Sequence, residues 1–300
     1  MIKYGVHKLT WGRYFDPNDL KTFFHQAGEL GAETVEIRPT EEMLKLNKHK
    51  IREITKMAEA EGLEILYTYG FPPNLDMRSP DPFIRSYAVD FLKKGIRCVA
   101  EAGGREIGSA GIYSCWPACY DFDMVTPEIK YERRNRSVEC VREAARTAEE
   151  YGVMLNLEVI NRFENYLINT VDEGISFCED VDSPYCSLLL DVFHMNIEEE
   201  DIPAAIRLAG KRIGHFHVSE PNRAIPHHSK RICWEEIGGA LREIGYDRTV
   251  TIEAAVACEG EATYSMRMWR DLIGDTSLTG RLVALRQGLD FIRRKFEHPQ

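Results

Sequence analysis

Four short apolar runs in the second half of the chain each deliver a residue able to hold a metal ion. MLNLEV carries Glu158, SLLLDV carries Asp191, GHFHV carries His217 and VTIEAAV carries Glu253. A carboxylate that follows several apolar residues is costly to bury unless it is paired or coordinated. Taken singly, each of these is a strand-end charge meeting solvent or an arginine. Four in consecutive runs point to a shared purpose. Two Glu, one Asp and one His make an oxygen-rich donor set with one imidazole, which suits a hard octahedral cation such as Mn2+ or Mg2+ and leaves Zn2+ open. His215 and His217 are two apart, so on a strand they share a face. One is expected to be a ligand and the other a hydrogen-bonded core histidine, and His217 is taken as the ligand because it lies nearer the strand end.

Further polar residues follow these positions. Glu164 comes six residues after Glu158, His194 three after Asp191, and Arg223 six after His217. All three are expected in loops after their strands, where side chains reach a ligand over a rigid scaffold. A helix-capping Glu, a solvated His and a surface Arg are the alternatives.

The elements that must position these residues are marked by glycine. ELGAETVEI, AEGLEILYT, EAGGREIGS, EYGVMLNLEV and EIGYDRTVTIE each end a helical pattern at Gly and enter a run rich in Val, Ile or Leu. Gly accepts the left-handed backbone that stops a helix, and such apolar runs read as buried strands. CSLLLDVF, RIGHFHV and KYGVHKL bring the strands to eight. Helical windows lie near 17–30, 41–61, 80–102, 129–151, 171–181, 199–210, 234–244 and 262–294, the third starting at Ser79-Pro80. Eight alternating βα units in about 255 residues predict a closed α/β (β/α)8 TIM barrel, with the active site at the C-terminal ends of the strands. GGREIG precedes a strand instead of following one, so it is read as a helix stop and not as a nucleotide fingerprint.

Composition narrows the function. The 38 Lys and Arg against 48 Asp and Glu give a net charge of −10, which repels nucleic acid and anionic membranes. No run of 18 apolar residues suggests a membrane span, and the N-terminal residues do not read as a secretion signal, so a cytoplasmic protein is expected. Eight cysteines without a CxxC are expected to be mostly reduced and buried, and CWPAC lacks a metal spacing.

The segments NLEVINRFENYLINT (156–170), LLLDVFHMNIEE (188–199), GHFHVSEPNR (214–223) and WEEIGGALREIGYD (234–247), with SCWP and MRMWRDL, resemble the ketose 3-epimerases, the D-tagatose and D-allulose (psicose) 3-epimerase group of the xylose-isomerase-like barrels. The resemblance is dense from about 105 to 275. It implies one such barrel over 1–300, with Mn2+ held by Glu158, Asp191, His217 and Glu253, and Mg2+ or Co2+ as substitutes. It also implies that Glu164, His194 and Arg223 bind the O1 to O3 end of a small-molecule ketose, and that the chain is a homodimer or homotetramer. Glu158 and Glu253 are then the catalytic pair, acting on opposite faces of C3 through a cis-enediolate. Trp116 and Trp11 are expected as apolar walls for the sugar, with core packing the alternative.

Departures from the family pattern concern the distal end of the pocket, which chooses among sugars. His7 and Cys115 stand where Tyr is usual, EAAV replaces EPFV after strand eight, and PHHSKR replaces a Gly-rich PGKGR. Other reactions on the same barrel are an aldose–ketose or hydroxypyruvate isomerase, an inosose dehydratase, or a phosphosugar epimerase, for which Lys230 and Arg231 could supply distal cations. A multi-metal nuclease would need more histidines and a basic groove, and a non-catalytic sugar binder has no need for two opposed glutamates.

Overall fold

The structure, a computed structural model, describes residues 1–72, 74–109, 111–116, 124–227 and 231–297. Eight parallel strands close into a barrel in chain order: β1 (Lys3–His7), β2 (Thr34–Ile37), β3 (Glu64–Thr68), β4 (Glu106–Ser109), β5 (Met154–Val159), β6 (Cys186–Asp191), β7 (Ile213–Val218) and β8 (Thr249–Ile252). β8 pairs back onto β1, with Lys3 opposite Thr249. The (β/α)8 architecture read from the sequence is the one observed. The five glycine stops behave as expected, Gly31, Gly62, Gly103, Gly152 and Gly245 all taking positive φ of 67° to 77°, where a side chain would be strained.

Helices α1 (Leu20–Glu29), α2 (Glu41–Leu44), α3 (Lys48–Ala60), α4 (Pro82–Glu101), α5 (Pro127–Tyr151) and α6 (Val171–Val181) ring the first half. The second half carries α7 (Val192–Glu198), α8 (Ile202–Ala209), α9 (Trp234–Glu243), α10 (Gly260–Ser265) and α11 (Leu278–Glu297). The window 41–61 divides because Leu46 adopts φ 57° and Asn47 caps α3 by accepting from the Lys50 N–H at 3.3 Å. The region 262–294 divides into α10 and α11 around an irregular segment. α4 starts two residues later than expected, where Asp81 accepts from the Phe83 N–H at 2.8 Å and Pro82 fills the first turn; an Asp cap followed by Pro outranks a Ser-Pro pair. The helix α7 was not expected from the sequence. It forms because Asp191 doubles as its N-cap, accepting from the Phe193 N–H at 2.9 Å.

The strands sort residues by alternation. Val35, Ile37, Ile107, Leu155, Leu157, Leu188, Leu190, Phe216 and Ile252 join the helices in one hydrophobic core. The opposite face lines the barrel interior, and apart from Leu66 and Leu189 it is largely polar. Asn156 accepts from Ser187 at 2.6 Å and donates to Glu106 at 3.2 Å, and the His215 ring lies 3.2 Å from Glu106 and 3.3 Å from Glu36. A register shift between Leu188 and Leu189 presents Gly214 to this network, where a Cβ would collide with Asn156 Oδ1 and Ser187 Oγ. Gly214→Ala is therefore expected to destabilise the fold by about 2–3 kcal/mol. Gly239→Ala, on α9 with only the tip of Arg242 in reach, is expected to stabilise it by about 0.5–1 kcal/mol. Urea melts of the two variants compare them directly; an unchanged midpoint for Gly214→Ala would contradict the packing described.

Candidate active site

Glu158 stands near the end of β5, Asp191 ends β6, His217 lies near the end of β7, and Glu253 follows β8 directly. Asp191 and His217 are partners across the sheet, and Glu253 extends the ladder through its N–H to the Val218 carbonyl at 3.2 Å. These register relations bring one donor atom from each residue within 4.8 Å of all the others. Glu158, Asp191 and His217 are buried and Glu253 half-buried. Donors around an octahedral cation at about 2.1 Å are at most about 4.2 Å apart, so closing on an ion requires a contraction of only about half an ångström.

His217 is oriented for such a role. Its Nε2 lies 2.8 Å from Glu36 Oε2, while Nδ1 has no hydrogen bond and sits 3.3 Å from Glu253 Oε2. A carboxylate at Nε2 calls for N–H there and leaves the Nδ1 lone pair facing the three acids, the arrangement in which a second carboxylate orients a metal-binding histidine. Burial opposes the charged ring, but Glu36 and Glu253 overcome it and hold the His217 pKa well above the usual imidazole value; a cation bound at Nδ1 competes with that proton. This orphaned, buried nitrogen among three carboxylates fits a divalent cation.

Asp191 is fixed at both oxygens. Oδ1 caps α7 and Oδ2 pairs with Arg223. The Arg223 guanidinium also donates to Glu253 at 2.8 Å, lies 3.2 Å from His194 Nε2 and stacks 4.1 Å from the Phe193 ring centre. Burial alone would raise the Glu253 pKa, but Arg223 and His217 bring it well below the usual carboxylate range. His194 Nδ1 is 3.3 Å from the Asn161 N–H, from which it accepts, so Nε2 carries the N–H, 3.5 Å from Glu158. His194 was expected in a loop; it lies on the first turn of α7, which holds it more rigidly. Glu164 and Arg223 are in loops as expected. Glu164 accepts from Trp116 Nε1 at 2.9 Å and from Asn161 Nδ2 at 3.0 Å. Its burial is outweighed by His194 and Arg223, which lower its pKa.

These side chains open onto a cavity of about 240 Å³, lined by Glu158, Glu164, His194, Arg223, Glu253 and Trp116, and by His7, whose ring lies 6.4 Å from that of His217. The volume suits a ligand smaller than a drug-sized molecule. Trp116 thus does more than form a wall, since its indole N–H anchors Glu164. His7 Nδ1 accepts from the Leu9 N–H at 3.1 Å, and burial lowers its pKa. Two expectations are corrected. Trp11 is core: it is buried, packs edge-on to Phe23 at 4.7 Å and donates to Gln26. Cys115 is buried against Arg78, 3.3 Å from its guanidinium, away from the cavity. The wall near EAAV is supplied by Met266, while Ala254 and Ala255 are buried. Cys119 and Lys230 lie outside the described residues, and the seven described cysteines are free.

Sequence reasoning missed Glu36, whose signal is one charge inside the strand TVEI, and the cavity-lining pair Lys8 and Arg38. Among the described residues, no helix is long and apolar enough to cross a membrane.

Residues 24–272 match the xylose isomerase-like TIM barrel. The chain belongs to that family. It is 37% identical to the D-psicose 3-epimerase of Ruminiclostridium cellulolyticum over 90% of both chains, and 30% identical to the L-ribulose 3-epimerase of Mesorhizobium japonicum over 99% of this chain and 97% of that one. The solved D-psicose 3-epimerase of Clostridium cellulolyticum H10 with D-tagatose superposes with a TM-score of 0.92 at 35% identity, covering 99% of this chain and 100% of that one. Within the family this chain is a carbohydrate isomerase of the ketose 3-epimerase group.

Glu36→Gln is expected to weaken divalent-cation binding about 10- to 100-fold while the protein stays folded. Calorimetric titration with Mn2+ beside a circular-dichroism melt checks both. Undiminished affinity would remove Glu36 from the account.

Proposed function

We propose that this protein inverts C3 of a ketose with the D-psicose or L-ribulose type of backbone, using one divalent cation. The observation that carries this reading is the pair of glutamates, Glu158 from β5 and Glu253 from β8, brought together at one buried donor set beside a sugar-sized cavity. Mn2+ fits the three oxygen donors and single imidazole, with Mg2+ or Co2+ as substitutes. When bound, the cation supplies Lewis-acid stabilisation of the charge that develops on the sugar oxygens.

The remaining chemistry belongs to the chain. One glutamate takes the C3 proton, and the C–H electron pair moves into a C2–C3 double bond as charge passes to the C2 oxygen, giving a cis-enediolate. The other glutamate returns a proton to the far face of C3. Either order serves, so each glutamate is base in one direction and acid in the other. His194, with its N–H at Nε2, and the Arg223 guanidinium donate to the oxygens at the C1 to C2 end. Glu164, held by Trp116 and Asn161, accepts from a hydroxyl and places the reacting carbon.

EDTA-stripped protein, assayed in D2O with and without Mn2+ on neutral and C6-anionic ketoses that include D-psicose, D-fructose, D-tagatose and L-ribulose, tests this. The expected result is Mn2+-dependent inversion with one deuterium at C3. Glu158→Gln and Glu253→Gln should each lower kcat by about 10²- to 10⁴-fold with sugar binding retained. Deuterium at C1 would indicate aldose–ketose isomerisation instead, and no exchange with any ketose while Mn2+ is bound would overturn the proposal.

A further inference from the structure

The cavity that holds Glu158 and Glu253 is also lined by Lys8 and Arg38. Each is the first residue after its strand, Lys8 after β1 and Arg38 after β2. In a closed eight-stranded barrel of sequential order, β1 and β2 stand across from β5 and β6. If Glu158, Asp191, Glu164 and His194 anchor the C1 to C3 end of a ketose, its other end is free to meet the side of the cavity that carries Lys8 and Arg38.

These two cations differ from the other buried or site cations. Arg78 pairs with Asp76, Arg281 with Glu259, and Arg223 with Asp191 and Glu253. Among the described residues, neither Lys8 nor Arg38 has a carboxylate within ion-pair distance. The Lys8 ammonium stands over the Phe15 ring at 5.1 Å, and burial together with its charged neighbour Arg38 lowers its pKa. The cavity's own acids are engaged elsewhere: Glu164 accepts from Trp116 and Asn161, Glu253 from Arg223, and Glu158 faces His194. A half-buried ammonium that shares a cavity lining with a guanidinium is unfavourable by desolvation and by like charge, and an anion bound in that cavity relieves both. The low-dielectric walls of a cavity concentrate that positive potential, even in a chain of net charge −10.

We propose that the preferred substrate is a ketose whose terminal carbon remote from C1 bears an anion, a carboxylate or a phosphate, and that Lys8 and Arg38 bind it. This rests on the C3-epimerase reading of the same site. Lys230 and Arg231 were the distal cations considered from the sequence, and Lys230 lies outside the described residues; Lys8 and Arg38, at the ends of β1 and β2, line the cavity itself. Arg is suited to a bidentate grip on either anion and Lys to a point charge.

The test compares kcat/KM of the Mn2+-loaded enzyme for a 2-hexulosonate carrying the carboxylate at C6, a 2-hexulose 6-phosphate, and the neutral 2-hexulose of the same configuration. The expected result is at least a tenfold preference for one of the two anionic forms, and which one identifies the anion. Lys8→Met and Arg38→Met should each reduce the anionic-to-neutral ratio at least tenfold, mainly through KM, and added salt should narrow the same ratio. Preference for the neutral ketose, with a ratio unmoved by either substitution, would overturn the inference and leave the epimerase reading standing. Absence of turnover with all three would count against the epimerase reading, and thermal shifts then decide the inference. A larger stabilisation by the anionic sugars that is lost in Lys8→Met supports it, and equal shifts for anionic and neutral sugars overturn it. Arg38 is exposed, so Arg38→Met keeps the fold available for the measurement if Lys8→Met does not.

Discussion

Three carboxylates and an imidazole whose donor atoms crowd within 4.8 Å of one another at the strand ends set the terms for everything around them. Glu158, Asp191 and Glu253 repel one another in a poorly solvated place, and positive charge must be kept close to them. Arg223 supplies part of it directly, reaching Asp191 and Glu253. His217 supplies part when protonated, since Glu36 and Glu253 hold its pKa well above the usual imidazole value. The rest of the interior follows from that support: Glu36 also faces His215, His215 faces Glu106, and Glu106 with Ser187 satisfies Asn156. A barrel interior of this fold is ordinarily filled by branched apolar side chains. Here it is a polar column that fixes the donor set from below, and Gly214 is the backbone concession that lets the column fit.

The same economy shows in Asp191, which caps α7 with one oxygen and serves the site with the other. Because α7 begins there, His194 is placed beside Glu158 by helix geometry rather than by a flexible loop. The reactive wall of the cavity is thus built on β5 to β8 and on a helix that one of its own acids initiates. The ends of β1 and β2 bring His7, Lys8 and Arg38 into the same cavity.

Much of this was legible in the sequence, for identifiable reasons. Apolar runs that end in acids stand out because a strand has no other use for them, and glycine stops are legible because the left-handed backbone excludes most other residues. Glu36 was not legible, since one charge in TVEI acquires meaning only when barrel closure sets β2 against His217. Lys8 and Arg38 escaped for the same reason: nothing local distinguishes them, and only barrel closure brings them into one cavity lining with Glu158. Helix α7 was hidden because seven residues give too short a pattern, and its capping acid already had a reading as a ligand. Trp11 was misplaced because proximity to a strand end does not say which way a following 3-10 turn (Lys8–Tyr14) directs its side chains.

If Glu158, Asp191, His217 and Glu253 form one divalent-cation site, the stoichiometry and affinity of Mn2+ binding to the EDTA-stripped protein report it without reference to any substrate. The expected result is one ion per chain, bound with a dissociation constant of about micromolar or tighter, raising the melting temperature and lost in Asp191→Asn. Absence of bound Mn2+, or binding that Asp191→Asn leaves intact, would contradict it.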